Sequence, residues 1–391
     1  MDTVTRPLLN RRLDGLGNSI FGVMSARAAA TGSVNLGQGF PDVDGPPEIA
    51  RKAAEAVLTG KGNQYPPATG IPELRQAVAR HQQRFYGLSS DPDTEVLITT
   101  GATEAIAAAL LALLEPADEV IAFEPYYDSY VAGIAMAGAT RVPLTLRPPD
   151  FRPDLAELES KITRKTRLLL LNSPHNPTGM VLTRDETEAI ARIVIDHDLL
   201  VITDEAYEHL TFDREHVPFA AIEGMRGRVI SVGSAGKTFS FTGWKVGWAT
   251  GTPELVSAVR TTKQFLTFVS SGPFQYAVAD ALGLPDAYYQ DMAADLKAKR
   301  DLMAAGLREI GFRVYQPDGT YFITTDIAPL GEQDATEFCL ALPDRAGVVA
   351  IPSAVFYDDH PDEGRTMVRF AFCKRPEILK EALSRLSVLA R

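Results

Sequence analysis

Cysteine is scarce in this chain: of 391 residues only Cys339 and Cys373 carry a thiol, and they lie far apart. A disulfide framework and a thiolate metal site are both excluded by that count and spacing, and two buried thiols in a reducing cytoplasm are expected. The six histidines show no His-x-x-x-His spacing, so no metal is expected from the sequence. No apolar run approaches the roughly 20 residues that a bilayer demands. The opening Met-Asp-Thr-Val-Thr-Arg-Pro has none of the continuous apolar character of a signal peptide. A soluble, cytoplasmic protein with no membrane partner is the resulting expectation. Basic residues are also in deficit, 39 against 50 acidic, for a formal net charge of −11. That field repels nucleic acid and anionic lipid, which leaves small molecules as the expected ligands.

What is present is ample apolar material spread over a length too great for one compact module, so two domains are expected. From Glu95 onward short apolar runs alternate with longer helical ones: Glu95 to Thr99, then Ala102 to Leu114, then Glu119 to Phe123. Further strand candidates are Arg167 to Leu171, Leu199 to Thr203, Val229 to Val232 and Val246 to Thr250. This rhythm is that of βαβ units and predicts an α/β fold with a mostly parallel central sheet. After Pro285 a long amphipathic helix to about Ile310 precedes strand-like runs at Tyr321 to Thr325 and Thr366 to Phe372 and a terminal helix. The predicted organisation is an N-terminal arm and part of a small domain over 1–40, a large ligand-binding domain over 41–284, and a smaller α+β domain over 285–391. The acidic run Asp358 to Glu363 reads as a solvated loop.

The most informative stretch is Ser231-Val-Gly-Ser-Ala-Gly-Lys-Thr-Phe-Ser-Phe-Thr-Gly-Trp-Lys-Val-Gly-Trp248. It sets an amine, Lys237, three residues after Ser234 and near a second cation, Lys245, as a lysine bound to pyridoxal phosphate would require. The same run read alone also admits a loop with two incidental lysines, and Ser-x-x-Lys occurs in serine acyl enzymes. Asn172, Asp204 and Ser234 each follow an apolar run, where open α/β sheets bind ligands. Asp204 could hold a ring nitrogen protonated or simply cap a turn. Asn176-Pro177-Thr-Gly is by itself a turn signal. Gly101-Ala-Thr opens an alanine-rich helix, whose first N–H groups and positive dipole end suit an anion. Gly37-Gln-Gly39 lacks the strand-loop-helix context of a dinucleotide site.

Taken together, the runs Asn35 to Asp42, Asn63-Gln-Tyr-Pro-Pro67, Gly101 to Ala105, Glu124-Pro-Tyr-Tyr-Asp128, Asn172 to Gly179, Thr203-Asp-Glu-Ala-Tyr207, the Lys237 segment and Val368-Arg-Phe-Ala-Phe372 resemble the fold-type I pyridoxal phosphate aminotransferases in order and over nearly the whole length. The resemblance implies an aspartate-aminotransferase-like fold and a homodimer acting on an amino acid and a 2-oxo acid. It implies Lys237 as the Schiff-base lysine, Asp204 on the pyridine nitrogen, and Tyr207 and Asn176 on the ring oxygen. It further implies Tyr127 stacked on the ring, with Ala102, Thr103, Ser234 and Lys245 around the phosphate, joined by Tyr65 from the neighbouring subunit. Arg369, with Gly39, would take the substrate carboxylate. Glu124-Pro125 and Asn176-Pro177 are implied to be cis, with Glu124 and Asp128 as scaffold.

Where many relatives carry arginine this chain has Lys245, which keeps the charge without the bidentate fork. The setting Thr-Gly-Trp-Lys-Val-Gly-Trp is similar to the branch that holds kynurenine, glutamine and methionine aminotransferases and cysteine-conjugate β-lyases. Over Thr336 to Cys339, Val368 to Arg375 and Arg385 to Leu389 the chain looks most like actinobacterial N-succinyldiaminopimelate aminotransferases of lysine biosynthesis. A cofactor-sensing DNA-binding regulator of the same fold is opposed by the acidic charge.

Overall fold

A computed structural model of the chain describes residues 8–16 and 20–390. Its centre is a seven-stranded sheet in the order Val96–Thr99, Gly247–Thr250, Val229–Ser234, Leu200–Asp204, Thr166–Asn172, Glu119–Glu124, Thr140–Thr145. Every pairing is parallel except the two made by Gly247–Thr250, which runs against both neighbours.

The strand Thr166–Asn172 shows why the sheet sits in the middle. Leu168 and Leu170 pack on one face with Val120, Ile202 and Ile230, whereas Leu169 and Leu171 pack on the other with Ile121, Val201 and Ile190. Apolar residues at successive positions serve both faces because side chains alternate with period two, which only a strand covered on both sides can use. Each such leucine contributes about 1.5–3 kcal/mol of burial. One cover is the helix Gly101–Leu113, whose alanines Ala105, Ala108 and Ala109 bring it close to the sheet. The opposite cover includes Arg184–Asp196, started by a reciprocal capping box between Thr183 and Glu186.

A second sheet, Ile351–Pro352, Met367–Ala371, Phe322–Asp326, Arg313–Tyr315, is antiparallel throughout. It packs with the helices Asp286–Ile310, Ala335–Ala346 and Pro376–Leu386 into a core that also takes in Met24, Leu36, Tyr207 and Leu210. The short strand Val34–Asn35 pairs in parallel with Val348–Val349, so the N-terminal stretch joins the C-terminal layer. Both cysteines are buried and unpaired.

Two features differ from the sequence reading. Thr140–Thr145 forms an edge strand beside Glu119–Glu124; its Pro143 and polar residues conceal it, and an edge is where a sheet tolerates proline. The acidic run from Asp358 keeps half-exposed aspartates, yet it is anchored rather than free. The backbone N–H groups of Asp358 and Asp359 donate to the fully buried Glu124 at 2.9 and 3.0 Å. A buried carboxylate without such donors would be costly. Among the described residues no helix is long and apolar enough to cross a membrane.

Candidate active site

Three neighbouring parallel strands end side by side, and their last residues are Asn172, Asp204 and Ser234. Asn172 and Asp204 are register partners, and Asn172 ties the rim together by donating from Nδ2 to the Asp204 carbonyl at 2.8 Å and accepting from the Asn176 N–H at 2.7 Å. The chain leaving Ser234 turns at once into the one-turn helix Ala235–Thr238, with Ser234 accepting from the Gly236 N–H. Lys237 is thereby directed across the strand ends. The cavity so enclosed, of about 390 Å³, is lined by Gly39, Ala102, Thr103, Tyr127, Asn176, Asp204, Tyr207, Ser234, Lys237, Lys245 and Arg369. Every candidate from the sequence is there except Tyr65, which is 81% exposed and packs edge-on against Phe268 with centroids 5.6 Å apart.

Asp204 is buried. Its Oδ2 accepts from the Tyr130 hydroxyl at 2.6 Å and its Oδ1 from the Ala206 N–H at 3.1 Å. Burial lifts its pKa above the ordinary carboxylate range, while Tyr130, the Ala206 N–H and the charge of Lys237 pull it back. No lysine or arginine among the described residues is within ion-pair distance of it. A carboxylate so placed favours any cationic group brought against it.

The Lys237 ammonium sits 5.6 Å from the centroids of both the Tyr207 and Tyr321 rings and 3.5 Å from the Gly39 carbonyl. Burial lowers its pKa, and Lys245 and Arg369 add to that, while Cys373 and Asp204 oppose it. A lysine with a lowered pKa is the form suited to nucleophilic attack and proton transfer. Tyr207 stands edge-on to Tyr321 with centroids 5.4 Å apart, and Tyr321 donates to the Gly39 carbonyl at 2.5 Å.

At the other end of the cavity the helix Gly101–Leu113 presents its first turn. Glu104 accepts from the Thr100 N–H at 2.6 Å, so the following N–H groups stay available to an anion. Gly101 has φ +74°, and a Cβ there would lie 3.2 Å from Lys245 Nζ. On Gly247 a Cβ would meet the Gly101 carbonyl carbon at 2.7 Å and the Ala102 nitrogen at 2.9 Å. Glycine at both positions lets the helix end, Lys245 and the antiparallel strand close to a cup. Lys245 itself has φ +54°, a left-handed backbone that turns its side chain back toward Gly101.

Arg369, on the strand Met367–Ala371, is 1% exposed. Its two terminal nitrogens donate to Asn176 Oδ1 and the Gly37 carbonyl, each at 3.0 Å, and Nε is buried without a partner. Phe322 lies 4.0 Å and Phe356 4.9 Å from the guanidinium carbon. Burial lowers its pKa to about 10. Among the described residues no carboxylate is within ion-pair distance, so this cation is held ready for an anionic ligand. Gly39 is glycine by necessity, since a Cβ would fall 2.4 Å from Phe322 Cζ.

The peptide bonds before Pro125 and Pro177 are cis, as the resemblance implied. Asp128, expected to be scaffold, lines the cavity and carries a raised pKa from burial. Sequence reading missed Tyr130, Phe322 and Tyr321. Tyr130 had a signal, a second aromatic one helical turn after Tyr127; the other two had none, because they come from the second sheet. The fold also gathers the buried His81 and Glu208 and the partly buried His209 into one group, which linear spacing cannot reveal.

Pyridoxal phosphate is a pyridine with an aldehyde and a phosphate arm, and the cavity suits each part. It offers a buried carboxylate without a cation, an amine of lowered pKa, and a glycine-closed cup beside a helix N-terminus. The orphaned Nε of Arg369 marks where a carboxylate-bearing substrate would complete it.

Comparison with known proteins agrees. The family model described as aminotransferase class I and II matches residues 31–386. A Mycobacterium tuberculosis protein named probable N-succinyldiaminopimelate aminotransferase is 51% identical, with 97% of this chain and 98% of that one covered. Methionine aminotransferase of Escherichia coli is 38% identical, with 97% of each chain covered. The solved structure of N-succinyldiaminopimelate aminotransferase from M. tuberculosis superposes with a TM-score of 0.95 at 51% identity over 98% of this chain and all 100% of the other. The expected aspartate-aminotransferase-like fold is the fold found.

Proposed function

We propose a substrate for a chain that belongs to the class I and II aminotransferase family and is a pyridoxal phosphate-dependent aminotransferase: it moves an amino group between N-succinyl-L,L-diaminopimelate and 2-oxoglutarate, in lysine biosynthesis. The observation that carries the amino-acid chemistry is Arg369, a buried guanidinium with an unpaired nitrogen and no carboxylate of its own. The 51% identity to the mycobacterial protein, over nearly all of both chains, supports the succinylated substrate.

When bound, the cofactor supplies a carbon that takes up nitrogen and a pyridinium ring that accepts the electron pair of the broken Cα–H bond. The protein's residues do the rest in this proposal. Arg369, oriented by Asn176 Oδ1 and the Gly37 carbonyl, clamps the substrate α-carboxylate with paired N–H bonds, and the Gly39 backbone borders the same spot. That fixes the Cα–H bond toward Lys237. Lys237 Nζ, its pKa lowered by burial, would be the group that takes up the proton from the substrate Cα and moves it along the same face. Asp204 holds the ring nitrogen protonated, with Tyr130 holding Asp204. Tyr207 and Asn176 donate to the ring oxygen and Tyr127 covers the ring face. Ala102, Thr103, Ser234 and Lys245 hold the phosphate, together with Tyr65 of a second copy in a homodimer. Residues 41–284 form the cofactor-carrying domain in this reading, with 1–40 and 285–391 making the smaller one that brings Arg369, although 1–7, 17–19 and 391 of that assignment lie outside the described residues.

A broader enzyme acting on methionine or kynurenine is the second reading, favoured by the 38% identity to a methionine aminotransferase. A single half-reaction decides. Cofactor-loaded protein is mixed with N-succinyl-L,L-diaminopimelate, glutamate, methionine or kynurenine, and the cofactor absorbance is followed. Conversion by the succinylated compound well above the others is expected; conversion by methionine or kynurenine alone would replace this substrate assignment.

A further inference from the structure

The turn after the strand Leu200–Asp204 serves two places. Asp204 and Tyr207 line the active-site cavity, whereas Glu208 and His209 meet His81 of the helix Pro72–Tyr86. One ring nitrogen of each histidine and one carboxylate oxygen of Glu208 lie within 4.8 Å of one another. The two Nε2 atoms are 2.7 Å apart. Glu208 is 5% exposed, and its Oε2 is buried without a hydrogen-bond partner. We propose that His81, Glu208 and His209 form a binding site for one divalent cation of the zinc class, outside the catalytic cavity.

Three observations carry it. Two imidazole nitrogens and one carboxylate oxygen are a donor set that zinc takes with three protein ligands and a water. Glu208 Oε2 itself makes no hydrogen bond; burial and Glu205 raise the Glu208 pKa to about 8 against the pull of Tyr86 and Gln82, and a bound cation would offset the cost of burying that carboxylate. The carboxylates of this region also have no lysine or arginine partner. Glu205 is buried close by and is paired with His216, and no lysine or arginine among the described residues is within ion-pair distance of Glu205 or Glu208. Arg84, the cation whose field reaches the two histidines, is paired with Asp286. A tetrahedral zinc shell sets its ligand atoms roughly 3.3 Å apart, from bonds of about 2.0 Å. The two imidazoles would therefore part by about half an ångström, with His209, at the end of a turn and only partly buried, shifting against the Phe85 and Tyr289 rings, whose centroids lie 4.6 and 4.4 Å from its own.

The metal would join the helix Pro72–Tyr86 to the turn that carries Asp204 and Tyr207. Its effect is thus on the rigidity of that turn rather than on the chemistry. The test uses holoenzyme whose cofactor has been fixed by borohydride, freed of metals by chelation, and then titrated with Zn²⁺ and with Co²⁺. One Zn²⁺ per chain should bind and raise the melting temperature, and Co²⁺ should show the intense visible absorption of a four-coordinate site. His81→Asn and His209→Asn should each weaken zinc by about 100-fold or more, and exposed His197→Asn should not. If the histidine variants fold poorly, the near-isosteric Glu208→Gln replaces them, with a loss of at least about tenfold expected. Wild-type protein that takes up no stoichiometric zinc overturns the proposal, as does binding unchanged in the cluster variants, or a weak octahedral cobalt spectrum that marks an adventitious ion only.

Discussion

The Tyr130 hydroxyl donates to Asp204 Oδ2 across 2.6 Å in a setting where both residues are buried. It is the side chain that keeps the acidic partner of the proposed ring nitrogen from drifting further toward its neutral form. Tyr130→Phe keeps the packing and removes the donor. A hydrogen bond to a charged group contributes about 1.5–3 kcal/mol, so kcat should fall about 10- to 100-fold. The pH titration of the bound cofactor's absorbance should shift in the direction of a less basic ring nitrogen. An unshifted titration would reduce Tyr130 to packing.

Asp204→Asn should separate stability from function. Burial raises the folded-state pKa of Asp204 above its unfolded value, so in the cofactor-free protein the ionised form is a destabilising load above the folded pKa. That load disappears as pH falls to the ordinary carboxylate range, where both states bind the proton. The cofactor-free variant should therefore melt higher than wild type at pH 7, by a margin that shrinks toward pH 4, while turnover of the loaded enzyme collapses. Equal melting temperatures at both pH values would contradict this account of Asp204.

Arg369→Met replaces a buried cation that has no carboxylate partner by a shorter, unbranched apolar side chain. Removing that charge should leave the melting temperature unchanged or higher. At the same time kcat/KM should drop about 10²- to 10³-fold or more, since a hydrogen-bonded buried charge contributes several kcal/mol to ligand binding. Arg369→Lys should rescue little, because the bidentate fork is lost. Wild-type kcat/KM in the lysine variant would move the carboxylate contact elsewhere.

Gly247→Ala places a Cβ 2.7 Å from the Gly101 carbonyl carbon and 2.9 Å from the Ala102 nitrogen. Backbone on both sides cannot swing away, so the helix N-terminus must shift. We expect a stability loss of about 1–3 kcal/mol and faster release of cofactor on dialysis. Undiminished cofactor retention would place the phosphate away from that cup.

The proposed crossing of Tyr65 is open to complementation. Lys237→Ala and Tyr65→Ala chains, each impaired alone, are mixed and allowed to exchange subunits. If Tyr65 serves its neighbour's site, each hybrid dimer has one site with both lesions and one intact, and random mixing restores roughly a quarter of wild-type activity. No gain on mixing would mean that Tyr65 acts within its own chain or not at all.

The sequence by itself determined the large sheet, apart from its edge strand Thr140–Thr145, and the candidate residues at its strand ends. Runs such as Leu168 to Leu171 are apolar at every position, a pattern that at this short length, and alternating with longer helical runs, fits a strand buried on both faces. Residues that end such runs, Asn172, Asp204 and Ser234, are placed by that fact alone because parallel strands end together. Local order sufficed there, since strand, end and motif are contiguous. The tertiary structure decided what contiguity cannot express. Tyr130 reaches Asp204 from 74 positions away, and Arg369 meets Asn176 and Gly37 from across the second sheet. His81 and His209 touch although 128 positions separate them. The unpaired state of Arg369 likewise belongs to the folded chain, because burial and the lack of a counter-charge are properties of packing and not of any one residue's neighbours in sequence.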